Sequence, residues 1–452
     1  MSDSKVLGVL VIARHGDRAG FYQNPNDYTP TATKITPLGN VSFVVDGNRK
    51  TIAEGPCFTE TRVHVGTVAP GAVPQVNVPQ LHLDVRADAG GEGGVIYNSA
   101  VSLVQGLFPA NSNYTTTLAN GTTVEGPLEG YQYVAIESVE PDNDVSLEGW
   151  TKCGAFDNST AEFYSSDEFK KKAEESKPFL DQLPRFLDGR PVTLENMWNI
   201  FDFMLVENIH NAEFSKNLPA TFLEQARHLT NYHEYGVFSD PQLDGIGNIA
   251  FRTMIPTFTK NLKSIANASD PLKFVYYATA YKPFLSLFNM TGVAQAHPEL
   301  AGFVDFAGSV ALEVRQPSGG GAPVVRFNLK NGTDNDYKNF SFMGSSEDVP
   351  LQQLLDHLQP AAVNSTADWC KACGNTKDRG CGALAAAESQ GRLSAAGSSH
   401  QTISPVGAGF LGAGLTIFVA LVLLGILFFL GLVAFGKKAK SSKSSMSSHE
   451  KA

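Results

Sequence analysis

Two arginines and a histidine fall within five residues at Arg14-His15-Gly16-Asp17-Arg18. Guanidinium forks bind phosphate oxygens bidentately, and an imidazole with one nitrogen free of a proton can attack phosphorus. The residue types therefore suit phosphate binding and phosphoryl transfer, the plainer alternative being a surface arginine pair beside a core histidine. The apolar run Val6 to Ala13 leads straight into the motif. Its β-branched character predicts a parallel strand buried on both faces. The motif would then sit at a strand's carboxyl end, where open α/β sheets place their ligand sites.

The segment resembles the active-site loop of histidine acid phosphatases, whose pattern is Arg-His-Gly-x-Arg-x-Pro. Further matches are Ile35-Thr36-Pro37-Leu38-Gly39, Ser99-Ala100 followed by Gly106-Leu107-Phe108-Pro109, Leu312-Glu313, and Val325 to Gly332, so the resemblance spans roughly residues 6 to 360. It implies a three-layer α/β/α sheet of the phosphoglycerate mutase-like kind with a helical cap at approximately 165–263. It also implies that His15 becomes phosphohistidine, that Arg14 and Arg18 hold the phosphoryl oxygens of a phosphomonoester, and that no cofactor or metal is needed. Asp17 reads as a loop residue.

Three positions depart from the family pattern. Gly20 stands where the family has Pro. Val95 stands where it has a third phosphate-binding Arg, four residues before Ser-Ala, so positive charge is lost where negative charge must be stabilised; Arg86 is the candidate to replace it. Ala280 and Tyr281 stand where the family has a His-Asp pair that handles the leaving group's proton. General acids of that sort contribute about 10²- to 10⁴-fold, and a tyrosine, with an ordinary pKa near 10, is a poor donor. His210, Glu213, His228 and His233 lie on helical stretches and read as solvated side chains, so no other residue replaces the pair.

The elements that must position these groups follow from periodicity. Asn196 to Ile209, Leu218 to Tyr235, Phe284 to Phe288 and Leu351 to Leu358 read as helices, and Phe274 to Thr279 and Val324 to Leu329 as strands. Val41 to Gln80 is so broken by Gly and Pro that neither a helix nor a long strand can run through it. A loop of that length in a compact domain is improbable, and foreign sequence such as a retained intron is one source of it. The histidine acid phosphatase-like domain is expected over 1–383, and an Ala/Ser/Gly-rich stalk over 384–405.

Residues 406–436 carry no charge, and Leu411 to Phe435 as a helix would span roughly 37 Å, enough to cross a hydrocarbon core of about 30 Å. Lys437, Lys438, Lys440 and Lys443 follow and place the tail 437–452 in the cytoplasm, with the large domain extracellular or luminal. Nine Asn-x-Ser/Thr triplets agree with a glycosylated domain, being more than this Asn content gives by chance. Met1 to Lys5 shows no signal peptide, so the expectation is either an upstream start or a tail-anchored cytosolic domain. Of five cysteines, Cys57, Cys153, Cys370, Cys373 and Cys381, the last three could join a zinc site only with a fourth ligand; disulfides are the expected use, with an odd thiol left over. Acidic residues outnumber basic ones 45 to 35 and no basic patch is interleaved with aromatics, which argues against nucleic acid.

Three functions stay open. The first is a phosphomonoester-binding ectodomain whose catalysis is impaired by loss of the Arg and the His-Asp pair. The second is an active acid phosphomonoesterase working through His15. The third is an adhesion or structural ectodomain. The oligomeric state is not set by these features.

Overall fold

The computed structural model describes residues 4–20, 33–40, 82–91 and 94–389. Residues 41–80, the apolar run 406–436 expected to cross a membrane, the tail and most of the expected stalk lie outside the described residues. Contacts divide the chain into two units, Met1–Ala386 and Ala387–Ala452. No helix among the described residues is long and apolar enough to cross a membrane.

The strands are β1 Ser4–Arg14, β2 His82–Asp88, β3 Thr115–Thr117, β4 Thr123–Glu125, β5 Glu137–Val139, β6 Leu272–Thr279, β7 Ser309–Pro317, β8 Val324–Lys330, β9 Lys338–Asn339 and β10 Val349–Pro350. One sheet runs β10-β8-β7-β1-β6-β2-β5, with β9 added to β8, while β3 and β4 form a separate hairpin. β1 is central and buried on both faces, as its apolar run predicts. Its pairing corrects the expectation of a parallel strand in one respect: it lies parallel to β6 but antiparallel to β7.

The main helices are α1 Val95–Leu107, α2 Gly154–Ser165, α3 Asp167–Leu180, α4 Met197–His210, α5 Phe222–Val237, α6 Ile255–Ala266, α7 Lys282–Met290, α8 Leu351–Leu358, α9 Thr366–Cys373 and α10 Cys381–Ser389. α1 packs against β2 and β6, and α6 against β1, β6 and β7. The two faces of β1 feed separate cores: Val9, Val11 and Ala13 join the cluster beneath α1, and Leu10 and Ile12 the larger one shared with α4 to α7. This alternation is the period-two geometry of a strand, and the helices on both faces make a layered α/β structure.

Local signals explain the helix ends. Ser166 caps α3 by accepting from the Phe169 N–H, with Asp167 and Glu168 in the first turn. Gly374 ends α9 in the left-handed conformation, φ 61°. The expectation of a flexible stalk from 384 is corrected at its start, because α10 carries the Ala-rich stretch on as helix to Ser389, in keeping with alanine's high helix propensity.

Disulfides join Cys153 to Cys373 and Cys370 to Cys381. They use all three clustered cysteines and leave Cys57 outside the described residues. Among the described residues no cluster of His, Cys, Asp or Glu could hold a metal. The first bridge closes a loop of 220 residues, and removing such a cross-link typically costs about 2–5 kcal/mol. Cys153→Ala/Cys373→Ala is therefore expected to lower the Tm by several degrees in thermal unfolding; an unchanged Tm would show that the bridge constrains little.

Candidate active site

β1 delivers the motif at its carboxyl end. Arg14 is fully buried on the face of the larger core; its Nη1–H donates to the Val304 carbonyl at 2.5 Å. Its guanidinium carbon lies 4.2 Å from the Phe303 ring centroid, 4.3 Å from Phe306 and 5.1 Å from Tyr281. Aromatic faces hold a cation in this way while excluding water. The segment carrying Phe306 is tied back to the motif, since the Ala307 N–H donates to the His15 carbonyl and the Arg14 N–H to the Gly308 carbonyl.

His15 is also fully buried, and its Nδ1 lies 2.9 Å from the Gly16 carbonyl oxygen. A carbonyl can only accept, so the proton sits on Nδ1 and the lone pair on Nε2. That is the tautomer a nitrogen nucleophile requires. The Phe306 ring flanks the imidazole, with 5.6 Å between centroids.

Arg18 forms a forked pair with Asp202 of α4, at 3.0 and 3.2 Å, both side chains largely buried. Asp17 receives His210 Nε2 at 2.9 Å and the Thr36 hydroxyl. His210, read from sequence as solvated, is thus a contact of the loop. Helix α4 ends there and Glu213 belongs to the next short helix, Ala212–Asn217.

The other matched segments act on this loop. Gly16 N–H donates to Ser99 Oγ at 2.9 Å, and the Ser99 hydroxyl donates to the Val95 carbonyl at 2.7 Å, so Ser99 couples the loop to the first turn of α1. Thr36 N–H donates to the Asp17 carbonyl at 3.0 Å. A Cβ at Gly39 would collide with that same carbonyl, which is the physical reason for glycine there. Val95, where the resemblance expects Arg, is fully buried in the core beneath α1.

Arg86 does not join Arg14 and Arg18. Its Nε–H donates to Glu137 and an Nη2–H to Asp144, each at 2.5 Å, and an Nη1–H to Ser146 at 3.1 Å. The two carboxylates balance its charge, raising its pKa against the opposing effect of burial.

Ala280 and Tyr281 lie beside the motif, and both are buried. The Tyr281 hydroxyl donates to Glu234 Oε2 at 2.5 Å; Glu234 Oε1 lies 2.7 Å from His233 Nδ1, and His233 Nε2 lies 2.7 Å from the Tyr164 hydroxyl. Burial, then Glu234, pushes the Tyr164 hydroxyl well above its usual range, so it stays protonated and donates to His233. His233, expected to be solvated, is 2% exposed. The sequence signal for it was present: His233 and Glu234 share the buried face of α5 with Ala226, Leu229, Thr230 and Val237. Asp202 had a comparable signal, a lone acid within Ile200-Phe201-Asp202-Phe203-Met204.

No family model matches the chain. Prostatic acid phosphatase of Rattus norvegicus is 23% identical over 289 residues, which cover 62% of this chain and 69% of that protein. Human lysosomal acid phosphatase is 20% identical over 276 residues, 61% of each chain, so less than two thirds of that relative is spanned. The phytase of Citrobacter braakii superposes with a TM-score of 0.55 at 11% identity, over 82% of this chain and 99% of the phytase. Hafnia alvei phytase in complex with myo-inositol hexakis sulphate gives 0.54 at 12%, over 81% and 98%; these two likenesses establish a shared fold. The relatives in sequence are acid phosphatases, and the motif, its Ser99 and Gly39 supports and the sheet around them fit together, so the chain is similar to the histidine acid phosphatases in sequence and shares the fold of the phytases.

Proposed function

We propose that this chain binds phosphomonoesters at the Arg14-His15-Gly16-Asp17-Arg18 loop and transfers the phosphoryl group to His15 Nε2, with turnover limited to good leaving groups. The observation that carries this reading is the Nδ1–Gly16 hydrogen bond, which presents Nε2 as the nucleophile. Arg14, flanked by three aromatic rings, supplies electrostatic stabilisation of the phosphoryl group. Release of an alcohol is the weak step. The one O–H of Tyr281 is directed at Glu234, and Ala280 has no proton to give.

Impaired catalysis on alkyl esters is thus part of the proposal, and a reading of pure adhesion leaves the oriented imidazole unexplained. A polyanion such as the ligand of the Hafnia alvei phytase complex suits the site poorly, because Arg18 and Arg86 are already paired with carboxylates. We also propose that the domain faces an oxidising compartment and is anchored through residues 406–436. The two disulfides support the compartment and the uncharged apolar run supports the anchor. Asn289 is a poor glycan acceptor within that scheme, since its side chain is bonded to Tyr235, Asp240 and Asn248.

The full-length chain is expected to hydrolyse p-nitrophenyl phosphate with a kcat/KM at least about 100-fold above that for glycerol 2-phosphate, and His15→Ala to abolish both. Equal phosphate release by wild type and His15→Ala would sink the proposal. Ser99→Ala is expected to leave the Gly16 N–H buried without an acceptor. Urea titration should show a loss of about 1–3 kcal/mol, with several-fold weaker inhibition by vanadate. An unchanged midpoint would mean that the loop does not depend on Ser99.

A further inference from the structure

The cavity beside the motif has the wrong sign for an anion alone. It encloses about 580 Å³, and Arg18, Tyr281 and Phe303 belong both to its wall and to the surroundings of the loop. Five carboxylates line it, those of Asp88, Glu148, Asp157, Asp202 and Glu234, against two cations, Arg18 and Lys282. Of the two, Arg18 is already paired with Asp202. Much of the remaining wall is aromatic, from Trp150, Phe156, Tyr164, Trp198 and Phe238. Aromatic faces combined with carboxylates make the environment that selects ammonium groups. The chain itself seats one there: Lys282 Nζ lies 5.2 Å from the Trp150 centroid and 5.4 Å from that of Tyr281.

Glu148 supplies an independent observation. It lines this cavity and is 7% exposed, yet its Oε2 has no hydrogen-bond partner. A buried carboxylate oxygen in that state is costly, and a positive charge in the cavity would offset its charge. Burial pushes this carboxyl up, against the pull of Lys282 and Arg379 and of hydrogen bonding from Thr151 and the Gly91 backbone, so an incoming positive charge would help to hold it ionised. Thr160 Oγ1, in the same wall, also has no partner.

We propose that the cavity receives the ammonium group of a phosphomonoester whose phosphoryl end docks at the Arg14–Arg18 loop, a class of which phosphocholine is a simple member. The inference rests on the phosphate reading of that loop and adds the class of alcohol. Zwitterionic ligands match the wall on both counts: the phosphoryl group meets Arg14, and the ammonium group meets the carboxylates that would repel a second anion.

Isothermal titration of the purified full-length chain with phosphocholine, glycerol 2-phosphate and tetramethylammonium tests this. Phosphocholine is expected to bind at least ten-fold more tightly than glycerol 2-phosphate, with Glu148→Gln bringing the ratio toward one. Asp157→Asn, at an exposed position in the first turn of α2, should reduce the same ratio without endangering the fold. Equal affinity for the two phosphates would overturn the ammonium site and leave the loop reading standing. Binding of tetramethylammonium with neither phosphate bound would overturn the loop reading, and the proposal with it.

Discussion

A guanidinium buried at the end of the central strand is the constraint around which the rest of this molecule is arranged. Arg14 is 0% exposed, and an isolated charge in such a place is strongly disfavoured unless the surroundings compensate for it. The Val304 carbonyl and the faces of Phe303, Phe306 and Tyr281 contribute to that compensation. The segment 303–308 therefore has to be laid across the end of β1, and its backbone bonds to Arg14 and His15 do so. The antiparallel strand β7 that follows is pinned beside β1 by the same bonds. The mixed character of the sheet at this point is thus bound up with holding one cation.

The neighbouring cations face carboxylates. Arg18 faces Asp202, and Arg86 faces Glu137 and Asp144, so each has an anion within the chain. Paired charges of this kind exert a weaker field on an incoming phosphate than isolated ones, because the partner's potential opposes theirs. Arg14 lies against a carbonyl dipole and three aromatic faces. A phosphoryl group placed at His15 would meet it at the end of β1, while the adjoining cavity is lined by five carboxylates and two cations.

How much of this could be read from the chain depends on whether the cause is local. β1 and its loop were legible because a strand buried on both faces leaves a continuous apolar run and the motif follows it without a break. Helix α8 was legible end to end, since Leu351, Leu354, Leu355 and Leu358 mark its buried stripe. The pairings Arg18–Asp202 and Asp17–His210, 184 and 193 residues apart, are set by how α4 docks, which local periodicity does not encode. Arg86 shows the limit on a single strand. Alternation puts it on a buried face, but whether phosphate or Asp144 waits there depends on a loop about 60 residues away. The solvated reading of His233 failed because a helix face of mixed polarity was taken as exposed, whereas its polar groups satisfy one another inside.

That satisfaction has a chemical consequence. In the chain from Tyr164 through His233 to Glu234, and from Tyr281 to Glu234, every donor points toward the same carboxylate. A relay serves acid catalysis when its final donor faces the reacting oxygen. Here the final group is an acceptor, closed off by two donors and 2% exposed. Moving a proton outward would require Tyr281 to break its bond to Glu234 and leave that carboxylate short of a partner inside the protein. The penalty for an unsatisfied buried group of this type is about 1–3 kcal/mol or more, and it adds directly to the barrier for releasing an alkoxide. An aryl oxide, stable without that proton, avoids the penalty. Under the proposed reading, the leaving-group dependence thus follows from the direction of one hydroxyl, as well as from the side chain missing at Ala280.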